Sequence, residues 1–519
     1  MADNTIDRRT LMKVLGTGVL SLGQFNLAAY SSEVLASKGA DIMDDIPYSQ
    51  NVLERNAIYK YVEEICSWGI RRPGYPADIK VEKYLVDVFE SFGLENVRME
   101  PVDFQKWEPV EHSLLVKTEN RRFEIVCFPL PHTALNVDLE LELALYDKDN
   151  PAAVKGKASL HSLELMNMPA TLPVTGGPEL NALNKAANLK VRPEGVIVDP
   201  GGSLARTRQI LPFTNEMHDV MRPSQDAGAL AFIGVLGGHP GDICEYYVPY
   251  SGKENPFPGL WIKDSDGKKL QALMNNGTVH VEIAVKATRE SAVGHNIVGE
   301  LPGPTDDILL IGSHHDAPWA SAVEDASGIA LVLAQAAYWA KVPMDQRPHQ
   351  MHFVLQAGHM VGSPGARAFV RKHREMLDRV VLEMHLEHAA CEVRKGANGL
   401  ELSGKPEPRW FFTSRNPDLQ RSVKEALLKE GIHRSLILAP DVFGAAPTTD
   451  GGIYHVYGVP LVNFLTAPVY LFDSLDTPDK IHQESLDSIT RATIRILQST
   501  RGVSAKQMRE GISKSPHRE

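Results

Sequence analysis

Cysteine is scarce in this sequence. Four occur in 519 residues, and Cys66, Cys127, Cys244 and Cys391 stand at no paired spacing. That excludes a disulfide scaffold, a cysteine zinc cluster and a dithiol redox pair, so the four read as small buried hydrophobes. Also missing is any uninterrupted run of eighteen apolar residues, so no membrane span is expected. Positive charge is in deficit, with 54 Lys and Arg against 65 Asp and Glu for a net −11. The basic face that nucleic acid requires is therefore not expected. What remains is ordinary for a folded protein: 43% hydrophobic and 23% charged. The length exceeds one compact core, so two domains with shorter appendages are expected.

At the N-terminus, Asp7-Arg8-Arg9-Thr10-Leu11-Met12-Lys13 precedes a mildly apolar run from Val14 to Ala29, and Val34-Leu35-Ala36 offers small-residue cleavage. In that order the pieces resemble a twin-arginine export signal over residues 1–36 and imply a periplasmic or secreted protein. The simpler reading is a basic start on a short amphipathic helix. Twin-arginine substrates cross the membrane folded, which suits a protein that takes up its metal in the cytoplasm.

Residues 51–93 show helical periodicity, broken by the loop Gly69 to Gly74. From about Leu139 to Val285 the pattern becomes short strands and Gly/Pro turns. Gly195 to Asp199 reads there as a buried strand, and Gln225 to Val235 as a helix end feeding another strand. From Asn296 onward strands and helices alternate. Strands are expected at Ile308–Gly312, His352–Leu355, Val380–Leu386 and Leu461–Leu465. Helices are expected at Gly328–Lys341 (with Ser327 as cap), Ala366–Leu377, Leu419–Glu430 and Ser485–Gln498. Residues past Arg501 read as a frayed polar tail. Such alternation predicts an α/β fold, a mostly parallel mixed sheet flanked by helices.

Ligands in such sheets bind beyond the carboxyl ends of the strands. His314-His315-Asp316 follows the first strand, with Glu324-Asp325 just ahead of the next helix. His359 follows the second strand, and the third ends in His385-Leu386-Glu387-His388. Any one of these is more often a turn residue or a satisfied polar group. Imidazoles and carboxylates converging from three strand ends are the ligand set of a divalent metal: zinc first, with manganese or iron as alternatives.

At these residues the sequence resembles the superfamily of bacterial leucyl aminopeptidases, glutamate carboxypeptidases and the transferrin receptor. Ser67-Trp68-Gly69-Ile70-Arg71-Arg72-Pro73-Gly74 is similar to its opening motif, and Ile311-Gly312-Ser313-His314-His315-Asp316 to its His-x-Asp strand end. Glu324-Asp325-Ala326-Ser327-Gly328 and Asp476-Thr477-Pro478-Asp479-Lys480-Ile481 are similar to its turn and closing motifs. Lys155-Gly156-Lys157, Ala227-Gly228-Ala229 and Asp266-Gly267-Lys268-Lys269-Leu270 resemble landmarks of an inserted, β-rich protease-associated domain. The implied division is 50–139 and 291–501 for the peptidase-like domain, 140–290 for the insert and 502–519 for the tail.

The resemblance implies two zinc ions bridged by an aspartate, with a glutamate as base. Carried over, His314 is a ligand and Asp316 orients its ring from behind. Glu324 takes the bridging place and Glu387 the strand-end carboxylate, each one methylene longer. His359 falls on the base, or on a ligand if the register shifts by one. Met360 replaces the second metal's carboxylate, and a thioether suits a hard ion poorly. Phe472 or Asp473 stands where the last histidine belongs. Asp450 keeps the acid of a Ser-Asp-His string, but Gly451 replaces its histidine. The expectation is one metal on His314, Glu324 and Glu387, with His359 as base or further ligand and His388, Asp450 and Phe472 at a substrate pocket. Trp319, Tyr454 and Tyr457 are further aromatic candidates for that pocket, although core is the commoner fate. His315 is expected to bond backbone near the rim.

The expected activity is metal-dependent hydrolysis of an amide or related C–N bond in a small molecule or peptide, with ordinary aminopeptidase activity weakened by loss of the second metal. The alternative is a catalytically silent binding protein, as the transferrin receptor illustrates by analogy. A third reading, iron on two imidazoles and a carboxylate, requires His359 as ligand.

Overall fold

Segments apolar at nearly every position form strands covered on both faces, and they build the centre of the fold. Ile308–His314 and Val380–Leu386 are buried at every residue, as is Leu461–Thr466. The computed structural model describes residues 45–186, 191–212, 220–397 and 399–513. Helix Gly328–Ala340 is buried through Trp339, while Leu486–Gln498 and Pro417–Lys429 carry the amphipathic pattern of helices that cover a sheet.

In spatial order the central strands are His280–Leu301, Gln350–Gln356, Ile308–His314, Val380–Leu386, Leu461–Thr466, Arg409–Thr413, Ser435–Leu438 and Gly195–Val198. The run from Gln350–Gln356 to Leu461–Thr466 is parallel throughout. Their carboxyl ends therefore share one rim. The sheet is mixed, mostly parallel at its centre and flanked by helices, as expected.

Two long strands were not foreseen. Glu95–Thr118 pairs antiparallel with His280–Leu301 along nearly their whole length. One end of His280–Leu301 joins Gln350–Gln356, and the other joins Asn136–Leu145. Strands from residues 95–118, 136–301 and 308–466 thus share a single fifteen-stranded sheet, and residues 140 and 290, the expected domain boundaries, fall inside paired strands. A separate apolar cluster joins Leu114 and Val116 of Glu95–Thr118 to Leu160, Ile233, Leu260 and Ile283 of residues 140–290.

Four expectations are corrected. Gly195–Val198 is not buried: Gly195, Val196 and Ile197 are exposed, because the strand lies at the sheet's edge. Ser327 does not cap the helix at Gly328; its hydroxyl donates to the Val323 carbonyl, and Asp325 accepts the Gly328 N–H at 3.1 Å. The helix expected over 366–377 is two, Pro364–Lys372 and Arg374–Leu377. They are separated at His373, whose ring turns to the Glu100 carboxylate at 2.9 Å. The region read as a polar tail contains helix Ala505–Glu510, closed by a Ser504/Gln507 capping box, with Ala505 and Met508 buried. The export-signal residues 1–36 lie outside the described residues. No helix among the described residues is long and apolar enough to cross a membrane.

Candidate metal centre

The rim shared by the parallel strands collects the predicted residues into one buried set. His314 ends its strand, and its Nε2 lies 3.4 Å from Glu324 Oε1, 3.9 Å from Asp325 Oδ2 and 4.0 Å from Glu387 Oε1. His359 opens the turn after Gln350–Gln356. Its ring stacks on that of His314 with centroids 4.1 Å apart and planes 9° apart, and its Nε2 faces Glu324 Oε1 at 3.9 Å. On the other side of Glu324, His388 Nε2 approaches Oε2 at 2.5 Å. Among the described residues three triads have ligand atoms close enough to surround one ion: His314–Glu324–His359 and His314–Asp325–Glu387, which share His314, and Asp78–Glu82–His315, where His315 is already bonded by Asp78 and the His295 carbonyl.

The hydrogen-bond census separates this cluster from a structural ion-pair network. His314 Nε2, His385 Nε2, His388 Nε2 and all four carboxylate oxygens of Glu324 and Glu387 are buried without an aligned hydrogen-bond partner. Buried polar atoms in that number require a compensating charge or ligand. Imidazole nitrogens and carboxylate oxygens together are the donor set of zinc and its neighbours, so these residues fit a divalent ion. The electrostatics agree. Burial alone would depress His314, but contact with Glu324 and the charges of Asp325 and Glu324 lift it well above the usual imidazole range. Burial likewise opposes the shift at Glu324, yet His388 and His314 hold its carboxyl far below the ordinary carboxylate range. Such mutual stabilisation of opposite charges in a closed site is what a cation replaces.

The elements behind the set explain its aim. Asp476 accepts the backbone N–H groups of Ala322, Val323 and Glu324 at 3.2, 2.8 and 2.9 Å, fixing the loop that presents Glu324. Arg71 Nη2 donates to the Ser321 carbonyl, and Arg72 donates to that of Pro318 while its guanidinium lies over Trp319 and Tyr247. The 67–74 motif thus braces the loop leading to Glu324. His359 Nδ1 meets Asp450 Oδ1 at 3.1 Å, which leaves Nε2 toward Glu324. His388 Nδ1 donates to the Thr466 carbonyl at 2.8 Å.

Several predicted roles change. Asp316 does not orient His314 with its carboxylate; its backbone carbonyl meets His314 Nδ1 at 3.0 Å. The Asp316 carboxylate instead accepts the backbone N–H groups of His359 and Met360 at 2.9 and 2.7 Å, holding the turn that carries His359. Phe472 is buried one layer back: its ring packs on Tyr250 at 4.8 Å, and Tyr250 stacks on His359 at 5.4 Å. Asp473 turns away to His239 at 2.8 Å. Met360 is buried in the apolar core. Tyr454 is likewise core, and Tyr457 lies under Arg374 at the surface. His315 bonds the His295 carbonyl as expected and also Asp78, at 2.9 Å each.

His385 is the residue the motif comparison passed over. Glu383, His385 and Glu387 alternate along one strand, so they point to one face. His385 joins both neighbours, at 2.8 and 3.3 Å. That Glu-x-His-x-Glu alternation was a signal available in the sequence. It also accounts for Gly451: a Cβ there would stand 3.0 Å from both Asn463 Oδ1 and the His385 Cβ. A side chain at 451 would therefore press on His385. Tyr250 had no local signal. It comes from the segment before Gly252, which lies against the 359–362 turn. Gly252 approaches the Val361 carbonyl and Gly362 the Ser251 carbonyl, both at positive φ (67° and 86°), so a side chain at either would strike backbone.

Residues 296–497 match the model of Peptidase family M28. The region that carries the candidate ligands is therefore similar to that peptidase family. Solved structures share the fold at low identity. A zinc aminopeptidase from Bacillus subtilis is 17% identical with a TM-score of 0.61, covering 91% of this chain and 100% of that one. A peptidase M28 precursor from Shewanella amazonensis SB2B is 15% identical with a TM-score of 0.65, covering 89% and 95%. An aminopeptidase from Aneurinibacillus sp. strain AM-1 is 17% identical with a TM-score of 0.57, covering 88% and 95%. No curated protein matches the chain.

Proposed function

We propose that this protein hydrolyses an amide or related C–N bond in a small molecule or peptide, with one divalent ion, zinc first, as its cofactor. His314, Glu324 and His359 would hold it, with Glu387 alongside. The observation that carries this reading is the group, among the described residues, of buried imidazole and carboxylate atoms that face one another around His314 without aligned hydrogen bonds. Bound there, a divalent ion lowers the pKa of a coordinated water and polarises a carbonyl. Asp450 fixes the His359 ring so that Nε2 faces Glu324, which favours ligand over base. His388, anchored through Nδ1 on Thr466, keeps Nε2 at the site and is the group placed to move a proton. Met360 supplies no carboxylate for a second ion, and Asp473 is engaged by His239.

Metal analysis of the folded chain tests the centre. The expected result is close to one ion per chain, lost in His314→Ala and Glu324→Ala; two tightly held ions would overturn the mononuclear reading. A panel of aminoacyl and N-acyl amides tests the reaction. One observation favours the silent alternative: His359 and His388 are only 5% and 6% exposed and their partners less, so the centre is nearly sealed. Full metal occupancy with no turnover on any amide would decide for it. We also propose that residues 140–290 are a protease-associated-type insert and that residues 1–36 direct export; a reporter fused after residue 44 should leave the cytoplasm only with Arg8 and Arg9 intact.

A further inference from the structure

Away from the metal centre, Arg409 is a buried arginine with no carboxylate partner, as are Arg71, Arg72 and Arg347 among the described residues, but Arg409 lines a surface cavity together with a second arginine. Arg409 begins the strand Arg409–Thr413 and is 4% exposed. Its guanidinium donates to the His433 carbonyl at 2.6 Å and to the Ser485 hydroxyl, and no carboxylate lies within ion-pair distance of it among the described residues. Guanidinium stays charged, and a buried charge without an opposite partner is costly. Burial and the charge of Arg434 together pull Arg409 down to about 9. Arg434 is neutralised on its own side by Glu392 at 2.7 Å.

Arg409 and Arg434 line a surface cavity of about 270 Å³. His433, His482, Ser485 and Ser488 complete its wall, the two serines from the start of helix Leu486–Gln498. The acid on the wall is Glu484, an exposed side chain 3.9 Å from His482. Two guanidinium groups, hydroxyl donors and the positive end of a thirteen-residue helix are the elements from which proteins build oxyanion sites. The volume holds a phosphate or carboxylate with a small substituent.

We propose that this cavity is a binding site for a small oxyanion, a phosphate or carboxylate group, whose charge completes the pairing of Arg409. Arg409 stands opposite Thr466 in the sheet, and the His482 N–H donates to the Ala389 carbonyl at 2.9 Å. The subsite therefore borders the segment that carries His388 without sharing a residue with the metal set.

Calorimetric titration of the metal-loaded full chain with inorganic phosphate, and separately with succinate, tests it at constant ionic strength in chloride buffer. The expected result is saturable binding of at least one anion at one site per chain, and the preferred anion tells phosphate from carboxylate recognition. Arg409→Gln should weaken binding at least about tenfold, provided its circular dichroism is that of the wild type. If that variant does not fold, His433→Glu decides, since it places a negative charge at the exposed rim and should weaken binding several-fold. No saturable heat with either anion overturns the proposal. So does affinity unchanged in the deciding variant, which would assign the binding to the metal centre.

Discussion

Replacing Asp450 by asparagine separates the two roles open to His359. The carboxylate is fully buried and meets His359 Nδ1 at 3.1 Å. Burial pushes that carboxyl up, but attraction to His359 holds it well below the usual carboxylate range. If Nε2 of His359 is a ligand, Asp450 fixes the ring's orientation and raises its basicity. Loss of such a partner costs about 10- to 100-fold in metal affinity, or roughly 1.4–2.7 kcal/mol. If His359 is instead a base, the ion is held without it, and Asp450→Asn should change turnover while leaving metal affinity near wild type. Zinc competition against a chromogenic chelator reads the difference directly, with His359→Ala as the reference for full loss of the ligand. Wild-type zinc affinity in both variants would refute the ligand assignment.

Three further outcomes follow from the same geometry. Stripping the metal should lower the melting temperature and reloading should restore it, because an ion that binds only the folded chain adds about 2.7 kcal/mol at a hundredfold excess over its Kd; scanning calorimetry with and without chelator measures this. Asp476→Ala leaves three backbone N–H groups without their acceptor, and should destabilise the fold by about 3–5 kcal/mol while reducing metal retention. Denaturant unfolding with parallel metal analysis checks both effects. Glu100 is 4% exposed. Burial pushes its carboxyl up, but bonds to His373 and Arg98 bring it down to about 2. A depressed carboxyl stabilises the fold above its unfolded pKa and loses that contribution as pH falls. Roughly 3 kcal/mol should therefore disappear between about pH 4.5 and 2, and Glu100→Gln should flatten that slope in denaturant melts.

The parallel core was legible because strands covered on both faces are apolar without interruption, as in Ile308–His314. The long pair Glu95–Thr118 and His280–Leu301 was not, since half-exposed antiparallel strands mix charged and apolar residues and set their register through distant partners. Strands Arg409–Thr413 and Ser435–Leu438 are four or five residues long, too short to announce a period. At the site, convergence of imidazoles and carboxylates on one rim could be read from strand ends. Side-chain direction could not. Whether Asp316 acts through its carboxylate or its carbonyl, and whether His359 faces the ion or the solvent, depends on a turn held by residues far away in sequence. Tyr250 reaches the site only because a remote segment folds back, and no local pattern marks it.

The paired glycines at 252 and 362 have a practical consequence for anyone trimming the molecule. The matched region 296–497 contains the candidate ligands, yet one flank of His359 is walled by a peptide stretch encoded some hundred residues earlier. An excised version limited to that region would leave Tyr250 behind and open the ring of His359 to water. The smallest piece that keeps the ligands dry must begin well before residue 296, and grafts from similar folds should carry both halves of the seam together.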